Sequence, residues 1–198
     1  MKLYMIRHGE SESNASDTHS GWSPVDLTPK GREQARLTAL LLKDRRFDRI
    51  YVSDVKRAQQ TASIVFPNEK YVYLPLVREM NNTSMRGKNK AEMEALYGEK
   101  YLECRKAFDY APLGMDCESG AHFLARAGEA LRFFEAQGLE RIAAVCHAGI
   151  IRACAAYILS SPTHNPPLTC DNASVSVFEY KSGLWRVRAW NVTRDAAY

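Results

Sequence analysis

Four short apolar runs constrain any fold this chain can adopt: residues 2–7 (KLYMIR), 48–53 (DRIYVS), 71–77 and 141–146 (RIAAVC). Each is too brief for a helix and stops at polar or turn-forming residues, so each reads as a strand. Helical patterns lie between and beyond them. Thr28-Pro29 supplies an N-cap and a first-turn proline for a helix to about Lys43. Ser53 is placed to cap a second helix, in which Val55, Ala58, Ala62 and Val65 recur at spacings of 3, 4 and 3. Residues 91–109 have an irregular helical pattern, and Ser119 opens a helix with Leu124, Ala127, Leu131 and Phe134 on one face. Residues 147–159, apolar nearly all round, read as an interior helix. Residues 11–26 and 78–89 read as polar loops. Pro162, Pro166 and Pro167 break the chain before two last strands, 174–180 and 185–192, joined by the turn Lys181-Ser182-Gly183.

Strands alternating with helices predict an α/β fold: three layers, a mostly parallel sheet with helices on both faces, and a C-terminal antiparallel hairpin. A length of 198 residues suits one domain, 1–198, and no internal repeat is present. With 45% apolar and 25% charged residues the chain can bury a sizeable core, which excludes global disorder. The excess of 27 basic over 23 acidic residues is spread along the sequence. It favours anionic small molecules over nucleic acid. No apolar run approaches the roughly 18 residues needed to span a bilayer. The N-terminus lacks the pattern of a signal peptide, so a cytoplasmic, membrane-free protein is expected. Five cysteines without a CxxC pair, and five histidines without HxxxH or HExxH spacing, suggest neither a disulfide framework nor a metal site.

Ligands of open α/β sheets bind beyond the carboxyl ends of the strands. At those ends stand Arg7-His8, Arg57 one turn into the following helix, Glu79 and His147. Two guanidiniums and two imidazoles suit a tetrahedral dianion, to which arginine presents paired N–H donors. Helix N-termini after Ser53 and Cys146 would add backbone donors. One neutral imidazole is able to attack phosphorus, and a carboxyl group to protonate the leaving oxygen.

Arg7-His8-Gly9-Glu10 with Asn14 resembles the signature of the histidine phosphatase superfamily, in its phosphoglycerate mutase-like branch. The likeness continues through Leu27-Thr28-Pro29-Lys30-Gly31, Gln34-Ala35, Tyr51-Val52-Ser53-Asp54, Lys56-Arg57-Ala58, Gln60-Thr61-Ala62, Leu76-Val77-Arg78-Glu79, Glu118-Ser119 and His147-Ala148-Gly149, in order. It implies transient phosphorylation of His8, a phosphoryl clamp of Arg7, Arg57 and His147, Asn14 in the same pocket, Glu79 as proton donor, and no metal or organic cofactor. Many members carry an aromatic-Gly and a Trp-Glu-Gly stretch after the glutamate. Here the loop reads Met80-Asn81-Asn82-Thr83-Ser84-Met85-Arg86-Gly87, so their substrates do not transfer, and Arg86 is a candidate substrate contact. The chain is shorter than the metabolic mutases, which favours phosphatase over mutase.

The expected activity is therefore metal-independent hydrolysis of a small phosphate ester, with a phosphoprotein as a second class of substrate. The likeness names neither the alcohol nor an oligomeric state. Three rivals stand beside it. They are a phosphoglycerate-type mutase, an inactive phosphate-binding or interaction module, and a cysteine-dependent phosphatase built on Cys146, Gly149 and Arg152, which spell CxxGxxR.

Overall fold

In the computed structural model, which describes residues 1–194, the last four positions of the expected 1–198 unit lie outside the described residues. Chain order is β1 (Lys2–Arg7), α1 (Glu12–Ala15), α2 (Pro29–Leu42), β2 (Arg49–Val52), α3 (Lys56–Val65), β3 (Tyr71–Tyr73), α4 (Lys90–Ala107), α5 (Gly120–Ala136), β4 (Arg141–Cys146), α6 (Ala148–Ile158), β5 (Val175–Lys181) and β6 (Leu184–Val192). One six-stranded sheet runs β3-β2-β4-β1-β5-β6. The pairs β1–β4, β2–β4 and β2–β3 are parallel. The pairs β1–β5 and β5–β6 are antiparallel. Ser182 (φ 53) and Gly183 (φ 77) make the two-residue turn of the β5–β6 hairpin, both in the left-handed region that the twist of paired strands favours.

The central strands are buried on both faces because helices cover both. Successive side chains of a strand point to opposite faces. Leu3 and Met5 of β1 accordingly join Phe123, Leu131, Phe134, Ile150 and Ile151 under α5 and α6, while Tyr4 and Ile6 join Ala35, Ala58, Ala62 and Val65 under α2 and α3. A smaller cluster under α4 holds Met85, Met93, Tyr101, Cys104 and Tyr110. Among the described residues no helix is long and apolar enough to cross a membrane.

Several local expectations need correction. The run 71–77 is a strand only to Tyr73, because Pro75, which has no N–H to give a ladder, opens a 3₁₀ turn over Pro75–Val77. The N-cap of α3 is Val55, and Ser53 is not a cap. The buried face of α5 runs through Phe123, Ala127, Ala130, Leu131 and Phe134, with Leu124 half-buried beside it. The loop 11–26 contains α1, and the loop 78–89 a 3₁₀ turn at Thr83–Met85. The irregularity of 91–109 has a cause: Gly98 (φ 57, ψ −139) breaks α4. The caps at Thr28 and Ser119 hold, each side chain accepting a backbone N–H from the first turn of its helix.

Candidate active site

Register brings the two histidines together. Arg7 pairs with Cys146 across β1 and β4, so His8 and His147 leave adjacent parallel strands side by side, with ring centroids 5.1 Å apart. The His8 backbone N–H donates to Cys146 O (2.9 Å), and that of Ser53 to Val145 O (2.9 Å), which draws the end of β2 into the same crevice. Arg57, at the start of α3, reaches across: Nε donates to His8 Nε2 (3.0 Å) and a terminal N–H to His147 Nδ1 (3.1 Å). His8 is 4% exposed, Arg57 1% and His147 0%. The segment 21–23 closes over them, its Gly21 and Ser23 carbonyls accepting from Arg57 at 2.8 and 3.4 Å.

These contacts fix the tautomers. A guanidinium only donates, so the ring nitrogens that face it are the bare ones. His8 thus carries its proton on Nδ1, donated to Gly9 O (2.7 Å), and aims the Nε2 lone pair into the site. His147 carries its proton on Nε2, donated to Ser53 Oγ (2.8 Å). Burial, then the charges of Arg57 and Arg7, hold the His8 pKa well below its ordinary value. Burial, then Arg57 and His8, do the same for His147. Both imidazoles are neutral near pH 7, and the unprotonated Nε2 of His8 accepts from Arg57 Nε–H.

The cations keep capacity for an anion. Burial lowers Arg57 to about 10, opposed by Glu79 and assisted by Arg7. Arg7 donates one terminal N–H to Cys170 O, while its buried Nε has no acceptor among the described residues. A buried donor without a partner costs free energy that a phosphoryl oxygen would return.

Glu79 approaches from the polar loop. Its Oε2 accepts from the Gly149 backbone N–H in the first turn of α6 (3.1 Å), and its Oε1 from Met80 N–H (3.0 Å). Arg78 is engaged elsewhere, in a two-pronged pair with Asp54. The Glu79 carbonyl is held by Trp22 Nε1 (2.7 Å) and Arg126 (3.1 Å). An added Cβ at 149 would lie 2.0 Å from Glu79 Oε1, so Glu79 occupies this place only while residue 149 is glycine and would have to shift otherwise.

Of the other expected residues, Asn14 lies on α1 at the surface. Its Oδ1 accepts from Ser11 N–H (3.1 Å) and from Asn172 (3.2 Å), and Asn172 also donates to His8 O (3.2 Å). Asn14 thus meets the site through Asn172. Arg86 is exposed and lines a cleft of about 480 Å³ with Trp22, Lys56, Gln59 and Arg78. Among the described residues no hydrogen bond or ion pair joins it to the five central side chains.

Further motif residues prove to be scaffolding. Thr61 accepts from Gly9 N–H (3.1 Å) and donates to Arg57 O (2.8 Å), tying the His8 loop to α3. Gln34 holds Glu10 N–H (2.9 Å), and Gln60 holds Leu27 N–H (2.8 Å). Ser53 and Asn172 were not separable from ordinary cap and turn residues in the sequence, because their roles depend on strands and loops distant in the chain.

Cys146 is fully buried at the end of β4 in the core under α5 and α6, and precedes the N-cap His147. Burial, then its neighbours Cys154 and Cys170, push its thiol pKa well up. A thiolate nucleophile has no support there.

The profile of the histidine phosphatase superfamily (branch 1) matches residues 3–193. A 2,3-bisphosphoglycerate-dependent phosphoglycerate mutase of Arthrobacter sp. (strain FB24) is 36% identical over 126 residues, covering 60% of this chain and 51% of the mutase. A second mutase so named, from Streptococcus pneumoniae (strain CGSP14), is 34% identical over 124 residues, 59% of this chain and 54% of its own. The chain spans about half the length of the curated relatives it matches. Among solved structures, a mycobacterial glucosyl-3-phosphoglycerate phosphatase in complex with VO3 is 29% identical with a TM-score of 0.86, covering 96% of this chain and 98% of that one. The alpha-ribazole phosphatase of Shigella flexneri is 26% identical with a TM-score of 0.85, covering 97% and 96%.

Proposed function

The chain belongs to the histidine phosphatase superfamily (branch 1), and from that premise we propose that it hydrolyses a small phosphate monoester through a phosphohistidine on His8. The observation that carries this reading is the bare Nε2 of a buried, neutral His8 beside two guanidiniums. In the first step Nε2 attacks phosphorus and the bond from phosphorus to the alcohol oxygen breaks. Glu79, protonated, gives its proton to that oxygen. In the second step water attacks phosphorus, the P–N bond breaks, Glu79 takes the water proton, and inorganic phosphate leaves.

Arg7, Arg57 and His147 bear the charge that develops on the equatorial oxygens. Arg57 must exchange the Gly21 and Ser23 carbonyls for phosphoryl oxygens to do so, and its Nε–H must leave His8 Nε2 to free that lone pair for attack. His147 has its Nδ1 bare, so it becomes a donor to phosphate when the ester arrives as its monoanion and passes its proton to Nδ1, while Ser53 keeps Nε2–H. Two arginines and an imidazolium supply the positive charge that a metal ion supplies in other phosphoryl-transfer sites, and the reaction is proposed to be metal-independent. A small ester suits catalytic side chains recessed this far below the surface better than a phosphoprotein. The structural neighbours named as phosphatases of glucosyl-3-phosphoglycerate and alpha-ribazole phosphate support that class.

The relatives named phosphoglycerate mutases favour a second reading, transfer of the phosphoryl group to another substrate hydroxyl. Turnover of a panel of phosphate esters by the purified protein, with inorganic phosphate and phosphorylated alcohols both quantified, tests the pair. Free phosphate as the main product supports hydrolysis. Isomerised ester without free phosphate supports the mutase, and no turnover of any ester supports a binding module.

A further inference from the structure

One short segment touches both the phosphoryl clamp and the proton donor. Residues 20–23 form a tight turn in which Ser23 N–H donates to Ser20 O (2.8 Å). Gly21 is buried there in the left-handed region (φ 46), which glycine enters without steric cost. On one side of the turn the Gly21 and Ser23 carbonyls accept from Arg57 at 2.8 and 3.4 Å. On the other, the half-buried indole of Trp22 donates from Nε1 to the backbone carbonyl of Glu79 (2.7 Å). Among the described residues no hydrogen bond joins Arg57 to Glu79 directly.

Two more contacts tie the turn to the same strip of chain. The Arg78 guanidinium carbon lies 4.4 Å from the centroid of the Trp22 ring, and Asp54 holds Arg78 in place. Gly21 packs on Asn82, where an added Cβ would lie 2.2 Å from Oδ1. That buried oxygen accepts no hydrogen bond among the described residues, so packing alone sets this contact. An N–H···O bond fixes direction as well as distance. The indole N–H is therefore the link that orients Glu79 relative to the turn. The turn also has reason and room to shift. Arg57 must give up both carbonyls when a phosphoryl group arrives, and Trp22 with Arg78 lines two clefts of about 480 and 420 Å³.

We propose that Trp22 is a positioning residue that couples occupation of the Arg57 clamp to the placement of Glu79 for proton transfer. The proposal rests on the phosphatase reading, in which Glu79 is the acid. Without the indole N–H the Glu79 carbonyl keeps its bond from Arg126 (3.1 Å), so loss of Trp22 is expected to weaken acid catalysis without abolishing it. One neutral hydrogen bond sets the size of the effect at about three- to tenfold.

Trp22→Phe keeps a ring beneath Arg78 and removes the N–H. Its kcat/KM is expected to fall about three- to tenfold for alkyl phosphates and to stay within about twofold of native for nitrophenyl phosphate, whose leaving group hardly needs a proton. In Glu79→Gln there is no acid to place, so adding Trp22→Phe should lower the rate on alkyl phosphates no further. Where phenylalanine weakens the fold, 3-benzothienylalanine at position 22 keeps the bicyclic shape, carries sulfur in place of the N–H and makes the same comparison. The coupling is read by fluorine NMR of protein labelled with 5-fluorotryptophan, the Trp22 resonance being the one absent from Trp22→Phe. Titration with inorganic phosphate is expected to move that resonance with the same saturation as phosphate inhibits turnover.

An equal loss for both leaving groups, or no loss, overturns the role, because a residue that only supports the fold does not distinguish leaving groups. A loss on alkyl esters that persists in Glu79→Gln also overturns it, since Trp22 would then act other than through Glu79. A Trp22 resonance that stays in place while phosphate inhibits overturns the coupling. The phosphatase reading fails by different results. Glu79→Gln that spares alkyl esters removes the acid and the Trp22 role together. A protein that turns over no ester, yet whose Trp22 resonance follows phosphate, overturns hydrolysis and leaves the link from clamp to Trp22 standing.

Discussion

At the scale of single residues the site is defined by where protons sit. His8 and His147 both combine an unprotonated ring nitrogen, neutrality and direct contact with Arg57, and the reading of His8 as the nucleophile rests on its place in the Arg7-His8-Gly9 segment. His8→Ala is expected to abolish hydrolysis, and rapid-quench labelling of the native protein to trap a phosphoenzyme that is acid-labile and alkali-stable, as a phosphoramidate is. Near-normal turnover by the variant would end the mechanism. Glu79 raises a sharper question, because its carboxylate also accepts two backbone N–H groups and so has a structural role whether or not it moves a proton. The leaving group separates the roles. An alkoxide needs a proton and a nitrophenolate hardly does, so Glu79→Gln should lower kcat/KM for alkyl phosphates by about 10² to 10⁴ and spare aryl phosphates. An equal loss across leaving groups of widely different pKa would mean that Glu79 only positions its surroundings, and would send the search for the acid to Glu10 or Glu118.

At the scale of elements, α6 links strand, loop and chemistry. It begins immediately after His147 and donates the Gly149 N–H to Glu79, whose carboxylate lies where a Cβ on residue 149 would project. Gly149→Ala sets two effects against each other. Alanine is favoured over glycine within a helix by about 1 kcal/mol, whereas forcing a methyl into a filled space costs about 1–3 kcal/mol. A Cβ at 2.0 Å from Glu79 Oε1 and 2.7 Å from Phe108 Cε1 makes the clash the stronger of the two. The variant should melt lower than the native protein and lose activity on alkyl esters as Glu79 is displaced. Unchanged melting and kinetics would show that Glu79 and Phe108 give way freely. A comparable close approach joins the loop after β1 to α2, where Gly9 and Gly31 pack backbone to backbone and a Cβ on Gly9 would meet Gly31 O at 2.2 Å. The glycines of the RHG and LTPKG segments are therefore conditions for bringing His8 and α2 together.

At the scale of the molecule, burying neutral histidines makes stability depend on pH. Burial is the first cause of lowered pKa at His8, at His147 and at His19, which falls to about 4 with help from Lys90 and Arg105. The unfolded chain binds protons on these rings at about pH 6.5, where the folded one does not. Their contribution is complete above that value and is lost as pH falls through the window toward the folded pKa values. Thermal melts should decline from pH 7 to 5, before carboxylates titrate, and a flat profile there would contradict neutral burial. Chelator should leave turnover unchanged if Arg7, Arg57 and His147 carry the phosphoryl charge. Activity lost in EDTA and restored by one divalent ion would require a metal. Strand and helix order, a C-terminal hairpin turning near Ser182-Gly183 and the rim positions of Arg7, His8, Arg57, Glu79 and His147 were legible in the sequence, because apolar period, caps and turn residues act over a few positions. The turn itself holds two residues and not the three expected. The end of β3 at Tyr73, the use of Ser53 as a partner of His147, the link of Asn14 through Asn172 and the inert burial of Cys146 were decided by tertiary structure alone. Each depends on strand register or on which groups share a space, and both are set by packing between segments far apart in the chain, which no local pattern encodes.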